Sequence, residues 1–103
     1  MSGPVTYGLV SYANAAGSPF VLSSAWTKVA STDSTTKALR VSPIGTATIF
    51  DIEWVAVPAG SSAPTDANGE AVLGGEDFDS GIPIGDVYLR SPTGQTAVVR
   101  VGT

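Results

Sequence analysis

The sequence predicts an all-β fold, and three observations carry that prediction. The 12 glycines and 7 prolines are spread along the whole chain. They leave no window of about 12 residues in which an apolar 3.6-residue period runs free of a breaker, so no substantial helix is expected. Apolar side chains recur at every second position between Thr46 and Val57, the period of a strand with one face toward a core. Clusters of Ser, Thr, Asn, Gly and Pro separate the apolar pieces at short intervals, a pattern of six to eight short strands that fits a sandwich or small barrel.

Taken in order, Val5 to Tyr12 alternates in part, Ala13 to Pro19 reads as a loop, and Phe20 to Leu22 is a short apolar piece. Trp26 to Ala30 is a candidate strand, and Ser31 to Thr36 a polar turn. Lys37 to Val41 is a further strand, followed by Ser42-Pro43-Ile44-Gly45 as a turn. In the long strand Thr46 to Val57, the side chains of Phe50, Ile52 and Trp54 form a core stripe. At ~3.3 Å per residue it would run about 40 Å, long enough that a bulge or bend near Asp51 is expected. Pro58 to Gly69 is a long excursion. Two strands close the chain: Asp86 to Ser91, with Val87 and Leu89 inward, and Thr96 to Gly102, with Ala97, Val99 and Val101 on one face. Between them Ser91-Pro92-Thr93-Gly94-Gln95 has proline first and glycine where a positive φ is wanted, and the pair reads as a hairpin. The expected architecture is a single-domain antiparallel β-sandwich, jelly-roll-like, with Phe50, Ile52, Trp54, Val87, Leu89, Val99 and Val101 in its core. Residues 1–24 are expected as a loosely structured N-terminal segment, read either as an interaction arm or as a first strand completing the sandwich.

With 103 residues, of which 43% are hydrophobic, the chain has the size of one domain and the means to build a core. Charged residues make up 14% and the mean hydropathy is +0.23, far from the composition of a disordered chain. The net charge of −4, with five scattered cations, leaves nothing to neutralise a run of phosphates, so no nucleic-acid partner is expected. The chain has no cysteine and no histidine. Disulfides, thiolate nucleophiles, His–Cys zinc sites and histidine general-base catalysis are thereby excluded. Neither a basic, apolar leader nor a stretch of ~18 apolar residues is seen, so a chain made in the cytoplasm with no membrane partner is expected. A small domain without such covalent or metal staples is expected to gain stability by oligomerising or by docking on a larger body.

Three patterns bear on chemistry. Asp79-Ser80-Gly81 matches the triplet by which dimeric aspartic proteases bring two carboxylates together. Its neighbours, Asp77-Phe78 before and Ile82 after, are not the apolar and small residues that site needs, and it is read as a turn. Glu70, Glu76, Asp77, Asp79 and Asp86 lie among glycines and raise the question of calcium, but the EF-hand spacing is absent and solvated loop acids are the simpler reading. Nothing places two acids on facing strands as a glycosidase requires. No enzyme and no cofactor is therefore expected. The aromatics outside the core stripe are the remaining signal. Tyr7, Tyr12, Phe20 and Trp26 are assigned to contacts with other chains, because aromatics concentrate at interface centres.

From Ile49 onward the sequence carries a resemblance. The stretches Ile49-Phe50-Asp51-Ile52-Glu53-Trp54, Pro58 to Thr65, Ala71 to Glu76, Ile82-Pro83-Ile84-Gly85-Asp86-Val87-Tyr88-Leu89-Arg90-Ser91 and Ala97-Val98-Val99-Arg100-Val101 follow one another as in small β-sandwich proteins of tailed-bacteriophage particles. The chain resembles the head decoration, or cement, proteins of that group over a little more than half its length. The resemblance implies a non-enzymatic structural virion protein that binds the major capsid protein in many copies, as a homo-oligomer, dimer or trimer, seated on capsomer junctions. The alternative it leaves open is a tail, fibre or baseplate component with receptor or glycan binding.

Overall fold

The structure is a computed structural model, and it describes residues 10–44, 51–64, 70–72 and 84–103. They form eight strands and, among the described residues, no helix: β1 (Tyr12–Asn14), β2 (Phe20–Val21), β3 (Thr27–Thr32), β4 (Ala38–Ile44), β5 (Ile52–Val57), β6 (Glu70–Val72), β7 (Gly85–Arg90) and β8 (Thr96–Gly102). The all-β expectation is met, in two antiparallel sheets. The first is built on β8. Strand β4 runs along one of its edges from Ala38↔Gly102 to Ile44↔Thr96. Along the other edge lie β1, from Tyr12↔Gly102 to Asn14↔Arg100, and then β2, with Phe20↔Ala97 and Val21↔Thr96. The second sheet has the order β3-β7-β5-β6.

One core joins the two sheets. The first contributes Leu39, Val41, Ala97 and Val99, and the second Val29, Ile52, Val87 and Leu89, with Leu22 and Ala15 from the connections. Phe20, Ala30, Trp54, Ala56 and Val101 pack around them, partly buried. Each fully buried aliphatic side chain contributes about 1.5–3 kcal/mol relative to leaving it in water. The parity expected for the long strand is seen in β5, where Ile52, Trp54 and Ala56 face the core. Its described part begins at Ile52, with Asp51 outside the strand, and Phe50 lies outside the described residues. Strand β3 breaks simple alternation because its register against β7 shifts between Lys28 and Ala30. Val29 is the extra residue, and the bulge turns both it and Thr32 inward.

Four expectations are corrected. Asp86 to Ser91 and Thr96 to Gly102 do not form a hairpin: β7 pairs with β3 and β5, whereas β8 pairs with β1, β2 and β4. The segment between them keeps the expected turn, with Gly94 at φ 78° and its N–H donating to the Ser91 carbonyl at 2.9 Å. It arches from one sheet to the other, and β2 is bound beneath it through Ser91 N–H to Ser23 O at 2.7 Å and Leu22 N–H to Gln95 O at 3.0 Å. Second, Ser42-Pro43-Ile44 is not a turn but the end of β4, an outer strand where the missing N–H of proline is tolerated. Third, Ala13 and Asn14, expected to open a loop, continue Tyr12 as strand. Fourth, residues 11–24 are not loosely structured but follow the reading of strand that completes the sandwich. Ser11 and Thr103 exchange two backbone hydrogen bonds at 3.1 and 3.0 Å, and β1 and β2 complete the first sheet; residues 1–9 lie outside the described residues.

Gly85 marks the tightest approach between strands. Its φ of 143° and the Val57 carbonyl, into which an added Cβ would run, leave room for no other residue. Truncating Leu89, wholly buried between the sheets, to Ala should cost about 2–5 kcal/mol in urea unfolding. Gly85→Ala should also unfold the chain at lower urea, while Val101→Ala, at the partly buried rim, should cost less than Leu89→Ala.

Candidate interaction surface

The outward side chains of the second sheet fall into rows set by its register. Trp26 directly precedes β3, Arg90 ends β7 and pairs with Glu53 of β5. The Arg90 guanidinium lies 4.5 Å from the centre of the Trp26 ring and donates from Nε to Glu53 Oε2 at 2.6 Å. A cation held between an aromatic face and a carboxylate is fixed in orientation, and all three groups are partly shielded from water. Trp26 is thus half-buried, on the second sheet.

Tyr12 lies on the opposite side of the molecule. It is 37% exposed and carries the Arg40 guanidinium 4.9 Å from its ring centre. Gly102 makes this position available: a Cβ there would strike Val10 Cγ1 and come within 3.1–3.2 Å of Ala38 Cβ and Tyr12 Cε1. Phe20, in the next strand, points the other way and packs against the core. Its ring also covers Gly17, at 3.2 Å from the position a Cβ would take. The four aromatics assigned to contacts are therefore not brought together: Tyr12 and Trp26 are on different sheets, Phe20 faces inward, and Tyr7 lies outside the described residues.

The carboxylates whose side chains are described are bound into the fold. Asp86, in β7 rather than in an acidic loop, is 3% exposed. Its Oδ1 accepts from Ser31 Oγ at 2.8 Å and its Oδ2 from the Gly60 N–H at 3.0 Å, with the half-exposed Lys28 ammonium 3.5 Å from Oδ1. It thereby joins β3, β7 and the turn after β5. The Ser31 and Gly60 hydrogen bonds, and then the Lys28 charge, hold its pKa below the usual carboxylate value against the opposing effect of burial. Asp51 does the same for the arch. Burial would raise its pKa, but Ser91 Oγ donating at 2.7 Å and the Thr93 N–H donating at 2.8 Å outweigh that, and the pKa is lowered. Asp33 caps its own turn through the Thr35 N–H and hydroxyl, which lower its pKa as well.

Among the described residues no group of three or more His, Cys, Asp or Glu could hold a metal ion. Glu76, Asp77 and the Asp79-Ser80-Gly81 triplet lie outside the described residues. A recess of about 360 Å³ opens between β3 and the β1–β2 connection, with Ala15, Val29, Ala30 and Val101 on its wall. The side-chain pairings of Trp26, Tyr12 and Asp86 could not be read from the sequence, because each joins elements far apart in the chain.

The two buttressing aspartates make stability depend on acid in a defined direction. Their folded-state pKa values lie below the unfolded value of ~3.9, so their stabilisation is present above that value and is lost as the pH falls from there through the lower folded-state pKa. The urea midpoint should be flat from pH 7 to about pH 5 and drop below about pH 4. Asp86→Asn should lower the midpoint at pH 7 and flatten the loss between pH 5 and 3; an unchanged acid profile would remove Asp86 from this role. Compared with known proteins, the chain matches no family model, no curated protein and no solved structure.

Proposed function

We propose that this chain is a structural virion protein that decorates and stabilises a bacteriophage capsid by binding the major capsid protein, without catalysis or cofactor. The observation that carries the reading is the use made of its charged groups. Asp51, Glu53 and Asp86 each tie one segment to another and Asp33 braces its own turn, so the carboxylates whose side chains are described are spent on rigidity. A coat protein needs a rigid body with an extended contact surface and no reactive side chain.

The strand pairing supports a jelly-roll-like sandwich as the fold. From β2 to β5 successive strands alternate between the sheets, and β7 and β8 alternate again. The early strands β1 to β5 each lie beside β7 or β8 from the end of the chain. That pairing of the two ends is how a chain rolls up into two packed sheets, an architecture used by viral coats and by lectins. Fold analogy alone does not choose between those uses. The resemblance of Ile49 to Val101 to head decoration proteins favours the coat. The guanidinium over one face of both Tyr12 and Trp26 makes them poorer platforms for sugar stacking than bare rings.

Mass action gives the mechanism. A ligand that binds only the assembled lattice stabilises it by about 2.7 kcal/mol per site at a hundredfold excess over its Kd. Mass spectrometry and cryo-electron microscopy of particles from the organism encoding the chain should place it on the head as a dimer or trimer. Particles grown without it should assemble normally yet release DNA at a lower temperature. Unchanged heat resistance, with the protein at the tail tip, would transfer the proposal to a fibre or baseplate component that binds a receptor or glycan.

A further inference from the structure

The outer face of the first sheet differs from the rest of the molecule in charge. Every acid of the sequence except Asp33 lies between Asp51 and Asp86, a stretch with no Lys or Arg. That stretch supplies β5, β6 and the start of β7, all in the second sheet. The strands of the first sheet contain no Asp or Glu. They contain two arginines, Arg40 and Arg100, which are direct cross-strand partners. The strands of the second sheet carry Glu53, Glu70 and Asp86 together with Lys28 and Arg90, so only the strands of the first sheet bear cations without acids.

Register gives the composition of this face. Leu39, Val41, Ala97 and Val99 point inward, so the alternate positions point outward. One outward row holds Val21, Thr96 and Ile44 side by side, with Val21 78% and Ile44 50% exposed. The next holds Val98 beside Ser42, and the third Asn14, Arg100 and Arg40. Tyr12 and Val10 close the far end. Two features of this arrangement work against the isolated chain. Like charges directly opposite each other weaken a sheet, and aliphatic side chains this exposed in one row forgo burial. Both become favourable against a surface with carboxylates in the middle and apolar groups at one end.

We propose that the outer face of the first sheet docks onto an acidic, apolar-flanked surface of a different protein, with Arg40 and Arg100 meeting its carboxylates and Val21, Val98 and Ile44 its apolar groups. A second copy of the same face is disfavoured, because face-to-face packing would bring four guanidinium groups together. The segregation of charge also orients the approach. An acidic partner is attracted to the arginines of the first sheet, whose strands hold no acid, so encounters with this face are favoured. Three strand columns at ~4.8 Å and seven residues at ~3.4 Å span about 14 by 24 Å, well under the ~800 Å² per partner of a standard stable interface. One copy therefore binds weakly, and occupancy depends on linked copies acting together.

The inference deepens the virion reading and rests on it only for the identity of the partner. Its test is photo-cross-linking of the full chain in the organism that encodes it, with p-benzoylphenylalanine replacing Ile44 in one variant and Val57, outward on the second sheet, in another. The Ile44 probe should couple to one protein through a peptide containing Asp or Glu. Arg40→Glu/Arg100→Glu, checked for folding by circular dichroism, should lower the yield at least tenfold. Arg40→Gln/Arg100→Gln serves if the reversed variant does not fold. Coupling only to a second copy, coupling through Val57 alone, undiminished coupling after charge removal, or no coupling would each overturn the proposal. The identity of the captured protein separates the two readings. An acidic partner that is not a particle protein would sustain the docking face and remove the capsid function, whereas a shell protein joined only through Val57 would do the reverse.

Discussion

The structure hangs on an arch of five residues. Strands β7 and β8 are the paired centres of the two sheets, and they are consecutive in the chain, so the segment Ser91 to Gln95 sets how far apart the sheets lie and how they face. Buried Ser91 is its keystone: its Oγ donates to Asp51 at 2.7 Å and accepts from the Gln95 N–H at 3.0 Å. Asp51 stands at the entry to β5, the other neighbour of β7. One serine thus couples the arch and the start of a third strand through its hydroxyl and, through its N–H, the segment leading away from β2.

This dependence explains which parts of the fold were legible in the sequence. Strands β3, β4, β7 and β8 could be located, because their apolar content and the turns between them are local properties. The pairing of β7 with β8 was misread because a proline-first, glycine-containing turn has the same local chemistry whether its strands bond to each other or part into two sheets. Burial on both faces of β7 is a sign of a central strand, but Tyr88 and Asp86 do not read as buried until their neighbours are known. Pro43 masked the end of β4, and the bulge at Val29 broke the two-residue period of β3. Leu22, Val29, Leu39 and Val41 were missing from the sequence-derived core for the same reason, since their segments were short or irregular.

Less of the interaction surface could be read. Aromatic residues can be seen in a sequence, whereas the arginines that stack on Tyr12 and Trp26 come from strands placed beside them only by folding. Phe20 shows the limit of composition as a guide: two residues of strand suffice to turn a ring inward. The acids show it again. A cluster that suggests a cation site in the linear sequence contains at least one member, Asp86, whose oxygens are taken by Ser31, Gly60 and Lys28. In a chain without disulfides such bonds do the cross-linking, and unlike a covalent bridge they are released by protons.

The strands at the sheet margins bear on how one molecule meets another. An open margin with free N–H and C=O groups recruits strands from neighbouring chains and can seed fibrils. Here β4 carries Pro43, β3 carries a bulge beside Lys28, and β1, β2 and β6 are only three, two and three residues long. None offers a long, flat template. Contact between molecules is thereby steered away from lateral strand addition, which grows without limit, toward the broad faces, where the number of neighbours is set by the shape of what is bound.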